Sequence, residues 1–132
     1  MRRVIVAIRG AYAAFNRGDF DAAVASLDPN IEWTEPAKFP GGGTYHGRDA
    51  VKGYLRQSRA GWAKGTSKPV RFIQAGDRIV VFVFVRFQRK GSPGWHEAKI
   101  ADVYTVRHGK IVQMNAFADR AEALRWAGAK SP

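Results

Sequence analysis

The sequence predicts an α+β fold in which helices pack against one face of a curved antiparallel sheet. Two helices, one strand and a third helix are expected before Lys68, and from there onward the hydrophobic pattern alternates with period two. The chain has 132 residues, which suits one domain with a single core. We therefore predict a single domain over residues 1–132, with a pocket between the helices and the sheet.

The first half of the chain is predicted to be mainly helical. Apolar residues recur at helical spacing through residues 2–16, and Asp19 is a suitable N-cap for a short helix over Phe20–Leu27. A strand is expected at Ile31–Glu35, and a third helix at Arg48–Ala60. Two intervening segments are predicted to be loops: Pro40–Gly43 and Gly61–Ser67.

The second half is predicted to be an antiparallel meander with a terminal helix. Its four strands show alternating or continuous apolar character and are separated by glycine-containing turns. The predicted elements are strands at Val70–Gln74, Ile79–Gln88, Trp95–Val106 and Ile111–Phe117, and a helix at Asp119–Trp126. Because the second of these strands is apolar on both faces, we expect a surface beyond the domain's own helices to cover its outer face.

Two acidic residues lie on apolar faces of predicted strands. Alternation places Asp102 on the same face as Ile100 and Tyr104, and Glu35 on the same face as Trp33. An isolated buried carboxylate is very costly, so each acid must be paired, protonated or part of a cavity wall. Such a pair is what a pocket for proton transfer requires. The alternative is that Glu35 faces solvent at the strand end and Asp102 is a structural hydrogen-bond partner.

Composition excludes several classes of site. The chain has no cysteine, which excludes disulfides, cysteine-ligated zinc and thiol nucleophiles. The three histidines lie in different predicted elements without metal-ligand spacing, so we expect no metal and no cofactor. No apolar run is long enough to span a membrane, and the apolar N-terminal stretch breaks at Arg9–Gly10, too early for a signal peptide. We therefore predict a cytoplasmic protein that does not bind membranes.

The formal net charge of +11 raises the question of an anionic partner. Most basic residues are spread along the chain, and the exception is a helical stripe formed by Arg48, Lys52, Arg56 and Arg59. This stripe is interpreted as a solvated helix face, with an anion- or nucleic-acid-binding patch as the alternative. Because no nucleic-acid-binding motif accompanies it, we expect no specific nucleic-acid partner.

Four segments, taken in this order, resemble a known superfamily. They are Ala13–Asp21, Ile31–Pro36, Tyr45–Val51 and Gly109–Phe117. Over essentially the whole chain the sequence resembles the nuclear-transport-factor-two-like superfamily, and within it the ketosteroid-isomerase-like and SnoaL-like (polyketide cyclase) members. The resemblance implies a cone-shaped α+β roll with helices packed on the concave face of its sheet. Dimers are common in these families, so we expect a homodimer joined through the outer face of the sheet.

The resemblance also implies roles for individual residues. Glu35 falls on the position of the general base of ketosteroid isomerases. Asp102 falls on the position of their protonated aspartic acid, which hydrogen-bonds the developing oxyanion, a worked example of pKa tuning in that enzyme. Met114 and Ala116 fall on pocket-lining positions of the last strand. From its strand-end position we expect Glu35 to be the more readily ionised acid, and Asp102 to keep its proton.

The oxyanion-binding tyrosine of the isomerases falls on Ala11 rather than on a tyrosine. Tyr12 lies one residue further, about 100° round the helix, where it could reach the pocket or simply pack in the core. With Tyr12, the aromatic candidates for substrate binding are Trp33, Trp62 and Tyr104.

Three functions are compatible with this pattern. The first is a cofactor-free acid–base enzyme, of isomerase or cyclase type, acting on a small lipophilic carbonyl compound. The second is a non-catalytic module of the same fold that binds a hydrophobic ligand or a protein. The third is an epoxide hydrolase of the limonene type, although its aspartate–arginine–aspartate arrangement has no evident counterpart in the sequence. The first two are distinguished by whether Glu35 and Asp102 face one cavity.

Overall fold

The computed structural model of the protein describes residues 1–130, which form four helices and one six-stranded sheet. The helices are α1 (Arg2–Asn16), α2 (Phe20–Val24), α3 (Arg48–Ala60) and α4 (Arg120–Ala127). The strands are β1 (Leu27–Glu35), β2 (Gly43–His46), β3 (Trp62–Ala75), β4 (Arg78–Arg89), β5 (Trp95–Arg107) and β6 (Lys110–Phe117). None of these helices has the length and apolar character needed to cross a membrane. The predicted α+β class is confirmed.

The sheet is mostly antiparallel, with strand order β2-β1-β6-β5-β4-β3. Its one parallel contact joins β1 to β6, which brings the N-terminal strand against the C-terminal strand of the meander. This contact was not part of the predicted antiparallel sheet. It matters for the site because β1 and β5 become the two neighbours of β6.

The main core lies between the concave face of the sheet and the helices α1, α2 and α3. Ile8 of α1 and Val51 of α3 are fully buried against Ile79 and Val81 of β4. The predicted cap of α2 forms as expected, since the Asp19 side chain accepts a hydrogen bond from the amide of Ala22 at 3.1 Å.

The outer face of the sheet is partly covered by α4, which corrects the prediction that all helices pack on one face. Val80 and Val103 point away from the main core and pack with Leu124 of α4 in a second, smaller core. A helix of the domain itself therefore covers much of the outer apolar surface of β4, where we had expected an external partner. Phe82 and Phe84 remain half-buried on that face.

Three predicted boundaries were wrong. The predicted loop Gly61–Ser67 belongs to β3, where it pairs with the far end of β4 from Trp62 onward. The predicted loop Pro40–Gly43 overlaps at Gly43 with the short strand β2, which was not predicted and which pairs with β1. The predicted helix Phe20–Leu27 ends at Val24, since Leu27 already belongs to β1. In each case, backbone groups find partners on another strand, and these pairs outweigh weak local preferences.

Candidate functional site

Strand pairing places Glu35 and Asp102 on either side of the same residue of β6. Asp102 pairs with Ala116, and Thr34 pairs with Asn115 one residue earlier. Because β1 and β6 are parallel, Glu35 lies beside Ala116 from the opposite side. The two acids are thus two strands apart, about 10 Å between backbones. Ala116, which lies between them on β6, has only a methyl side chain.

Both acids line one cavity of about 130 Å³ between the sheet and the helices α1 and α3. Tyr12, Trp33 and Tyr104 line it as well, so five of the eight predicted site residues meet there. An engineered apolar cavity of about 150 Å³ holds benzene, so this one has room for a group the size of one ring.

Asp102 ends a chain of three hydrogen-bonded side chains. The Tyr104 hydroxyl donates to the Tyr12 hydroxyl at 2.9 Å, and the Tyr12 hydroxyl donates to Asp102 Oδ2 at 2.5 Å. Burial raises the pKa of Asp102 to about 6, while the bond from Tyr12 lowers it. Burial and the nearby Asp102 charge hold the pKa of both tyrosines well above the usual value, so both stay protonated.

Glu35 is held by its neighbour on the strand. The indole Nε1 of Trp33 donates to Glu35 Oε2 at 2.8 Å. Burial and the Asp102 charge together raise the pKa of Glu35 to about 7, although hydrogen bonds from Trp33 and Tyr54 act to lower it. Burial thus raises the pKa of both acids toward neutral pH, and the order in which they ionise stays a prediction. Tyr12 stabilises the Asp102 carboxylate, and a charge on Asp102 opposes ionisation of Glu35.

Three predicted site residues lie away from the cavity wall. Trp62 packs edge-on against Phe15, with ring centroids 5.5 Å apart, and Phe15 rather than Trp62 lines the cavity. Met114 is fully buried in the main core, paired with Trp33 on one side and Tyr104 on the other. Ala116 lies between the two acids on the sheet, but it is not one of the described residues that line the cavity.

Sequence reasoning missed the contribution of α3 to the site. Tyr54 and Leu55 line the cavity, and burial together with the Glu35 charge raises the pKa of Tyr54. The Tyr54 ring also packs on that of Tyr45, with centroids 4.8 Å apart. The apolar stripe of α3 showed that this helix faces the sheet, but it carried no sign that Glu35 lies opposite.

The electrostatics of the cavity are acidic. Among the residues that the structure describes, no lysine or arginine lines it. Within residues 1–130, no three side chains of the metal-binding types are grouped as a metal site requires. The arginine of an aspartate–arginine–aspartate arrangement is therefore not found beside Asp102 in the described chain.

Comparison with known proteins identifies the family. Residues 8–114 match the family model of the SnoaL-like domain. The chain belongs to the SnoaL-like family. The predicted family is thus confirmed, while no curated protein matches the chain.

Solved structures agree with this assignment. A nuclear-transport-factor-two-like protein from Burkholderia thailandensis is 33% identical, with a TM-score of 0.76 and 96% of both chains covered. One of unknown function from Burkholderia pseudomallei is 30% identical, with a TM-score of 0.77 and coverage of 95% of this chain and 97% of the other. TerC, crystallised with polyporic acid, is 26% identical, with a TM-score of 0.76 and coverage of 95% and 98%. The SnoaL-like domain therefore has the cone-shaped fold of this superfamily.

Proposed function

We propose that this SnoaL-like protein catalyses proton transfer next to the carbonyl group of a small lipophilic compound, without a cofactor. The observation that carries the proposal is that Glu35 and Asp102 line one cavity, and that burial raises the pKa of each toward neutral pH. A general base works best when its pKa lies near the operating pH, and a carboxyl in water is far from that range.

The two acids form one titrating pair. With pKa values of about 6 for Asp102 and about 7 for Glu35, the pair holds one proton between these pH values. The reaction needs that proton on Asp102 and the charge on Glu35. Because these values belong to the pair, either acid can hold the single proton, and the Trp33 indole stabilises the charge on Glu35 in the arrangement that the reaction needs.

In the proposed reaction, Glu35 removes a proton from the carbon beside the carbonyl. Protonated Asp102 donates a hydrogen bond to the carbonyl oxygen as negative charge develops there. If a carbon–carbon double bond is conjugated with the enolate, Glu35 returns the proton to the far carbon of the dienolate, which completes an isomerisation. Alternatively the enolate carbon attacks a second carbonyl carbon of the same molecule, the π bond of that carbonyl breaks to give an alkoxide, and the alkoxide takes up the proton from Glu35, which completes a ring closure. The chain Tyr104–Tyr12–Asp102 holds the Asp102 carboxyl in place throughout.

The size and lining of the cavity support a compound that places one ring or a similarly small group inside. Trp33, Tyr104 and Ile100 supply apolar walls around the acids. TerC was crystallised with polyporic acid, which supports an organic ligand for this related chain as well. A non-catalytic ligand-binding module is the second candidate, because the same apolar walls would hold such a ligand without chemistry.

The test is solvent exchange of the protons beside a carbonyl, followed by NMR in D₂O with acetophenone and cyclohexanone. The wild-type protein should accelerate the exchange, and Glu35→Gln should slow it about 10²–10⁴-fold because the base is lost. Glu32→Gln is the matched control, since Glu32 lies on the same strand but is exposed. Asp102→Asn, which keeps a donor, should cost less than Asp102→Ala.

The pH dependence of kcat/KM for proton exchange provides a second test of the proposal. Because the active form carries one proton on the pair, kcat/KM should follow a narrow bell with limbs near pH 6 and pH 7. Exchange no faster than in buffer would contradict catalysis and favour the binding module, and a Glu35→Gln variant as active as wild type would contradict the role of Glu35 as the base.

A further inference from the structure

A second cavity lies next to the first, on the side of α1 that faces β3. It is a groove of about 330 Å³ whose wall includes Arg9, Asn16 and Lys68. The groove shares Tyr12 and Ser67 with the inner cavity, so the two spaces adjoin at these residues. The two spaces differ in charge. The inner cavity is lined by the acids Glu35 and Asp102, and the groove is lined by the cationic residues Arg9 and Lys68.

The two cations of the groove have no acidic partner. Neither Arg9 nor Lys68 forms a salt bridge among the described residues, and no described acidic residue lines the groove. Both side chains are exposed, and the guanidinium of Arg9 is held over the ring of Phe72, 4.4 Å from its centroid. Two unpaired positive charges beside the hydroxyl of Thr66 favour an anion.

The place where the two spaces adjoin is held by hydrogen bonds between α1 and β3. The Asn16 side chain donates to the backbone oxygen of Ser67 at 3.0 Å and accepts from its backbone amide at 2.8 Å. These two bonds fasten the end of α1 to β3. The positions of the groove and the inner cavity relative to each other are therefore set by the fold, as recognition of one molecule across both would require.

We infer that the substrate carries a carboxylate, which lies in the groove on Arg9 and Lys68 while its carbonyl group lies between Glu35 and Asp102. The inference rests on the proposed function for the reacting group and on the groove for the anion. It also explains how a protein with an acidic cavity can select an acidic compound, because Arg9 and Lys68 hold the charged end in the groove, outside the acidic cavity. The expected substrate class is a small aryl or cyclic keto acid.

The test compares acetophenone with 4-acetylbenzoate, which has the same ring and ketone plus a carboxylate. Binding is measured by NMR titration of the backbone amides of the wild-type protein at low salt. We expect 4-acetylbenzoate to bind about threefold to tenfold more tightly, since an exposed ion pair contributes modestly, and we expect the advantage to shrink in 0.3 M NaCl. Inorganic phosphate is titrated alone, to measure how well the groove binds a free anion.

Single substitutions test whether Arg9 and Lys68 cause the tighter binding of 4-acetylbenzoate. Arg9→Gln and Lys68→Gln should each reduce the advantage of 4-acetylbenzoate and leave acetophenone binding unchanged. Arg9→Lys keeps the positive charge but changes the packing on Phe72, so it should keep most of the advantage of 4-acetylbenzoate if the charge is what matters. The matched controls are Lys99→Gln and Arg107→Gln, which remove exposed cations outside the groove and should have no effect.

The outcomes separate this inference from the proposed function. A preference for 4-acetylbenzoate that depends on Arg9 and Lys68, without proton exchange, would support the groove and contradict catalysis. Exchange with equal affinity for both ketones, or no binding of 4-acetylbenzoate, would overturn the inference. Phosphate binding as tight as that of 4-acetylbenzoate would also overturn it, because the groove would then bind free anions on its own. If exchange occurs, the two groove substitutions should raise KM for the keto acid and leave kcat unchanged.

Discussion

Replacing Glu35 with glutamine should change how protein stability depends on pH. Burial and the Asp102 charge raise the pKa of Glu35 from 4.5 to about 7 in the folded protein. Between these values the folded state holds a proton that the unfolded state has lost, so the free energy of unfolding falls as pH rises. The shift of 2.5 pKa units corresponds to a total loss of about 3 kcal/mol in the free energy of unfolding, and this loss is complete above pH 7.

The glutamine side chain in Glu35→Gln cannot ionise, so the variant does not lose this stability as the pH rises. Relative to wild type, the variant should therefore gain about 3 kcal/mol in free energy of unfolding between pH 4 and pH 8. Urea denaturation at pH 4, 6 and 8, at constant ionic strength, measures the difference directly. The difference between the two proteins removes the contributions of carboxyls that titrate alike in both.

The control is Glu32→Gln, which alters an exposed acid on the same strand. Its stability curve should run parallel to that of wild type across the pH range. If the Glu35→Gln curve were also parallel, Glu35 would have an ordinary pKa in the folded protein, and the reasoning from its burial would be wrong.

Two further predictions concern packing. A Cβ on Gly65 would lie 2.7 Å from the Cα of Phe87 on β4, so Gly65→Ala should destabilise the protein by about 1–3 kcal/mol. Gly53→Ala, in the exposed middle of α3 with no atom within 4 Å, should stabilise it by about 0.5–1 kcal/mol; urea denaturation of both variants at pH 6 compares them. We also propose a homodimer through the outer face of the sheet, where Phe82 and Phe84 are half-buried; a monomer by light scattering at tens of micromolar would contradict it.

Local patterns were enough to place the two acids on buried strand faces. Alternation along β5 put Asp102 among apolar neighbours, and the structure leaves only 9% of Asp102 and 9% of Glu35 exposed. Alternation works here because successive side chains of a strand point to opposite faces, whatever the strand pairs with. The N-cap of α4 was predictable for a similar reason, since Asp119 bonds to the amide of Ala121, two residues away.

What the acids do to each other depended on contacts between distant parts of the chain. The bond from Tyr12 to Asp102 spans 90 positions, and it lowers the pKa of the acid that sequence reasoning expected to stay protonated. The packing of α4 on the outer face of the sheet and the parallel pairing of β1 with β6 likewise depend on contacts between distant parts of the chain.

The sequence by itself determined the fold class, the family and the faces on which Glu35 and Asp102 lie, because those follow from local periodicity and short segments. Only the tertiary structure decided that the pKa values of both acids rise, that Tyr54 joins the site and that a cationic groove lies beside the cavity. A pKa depends on burial and on charges brought close by folding, and a cavity exists only between elements that have packed.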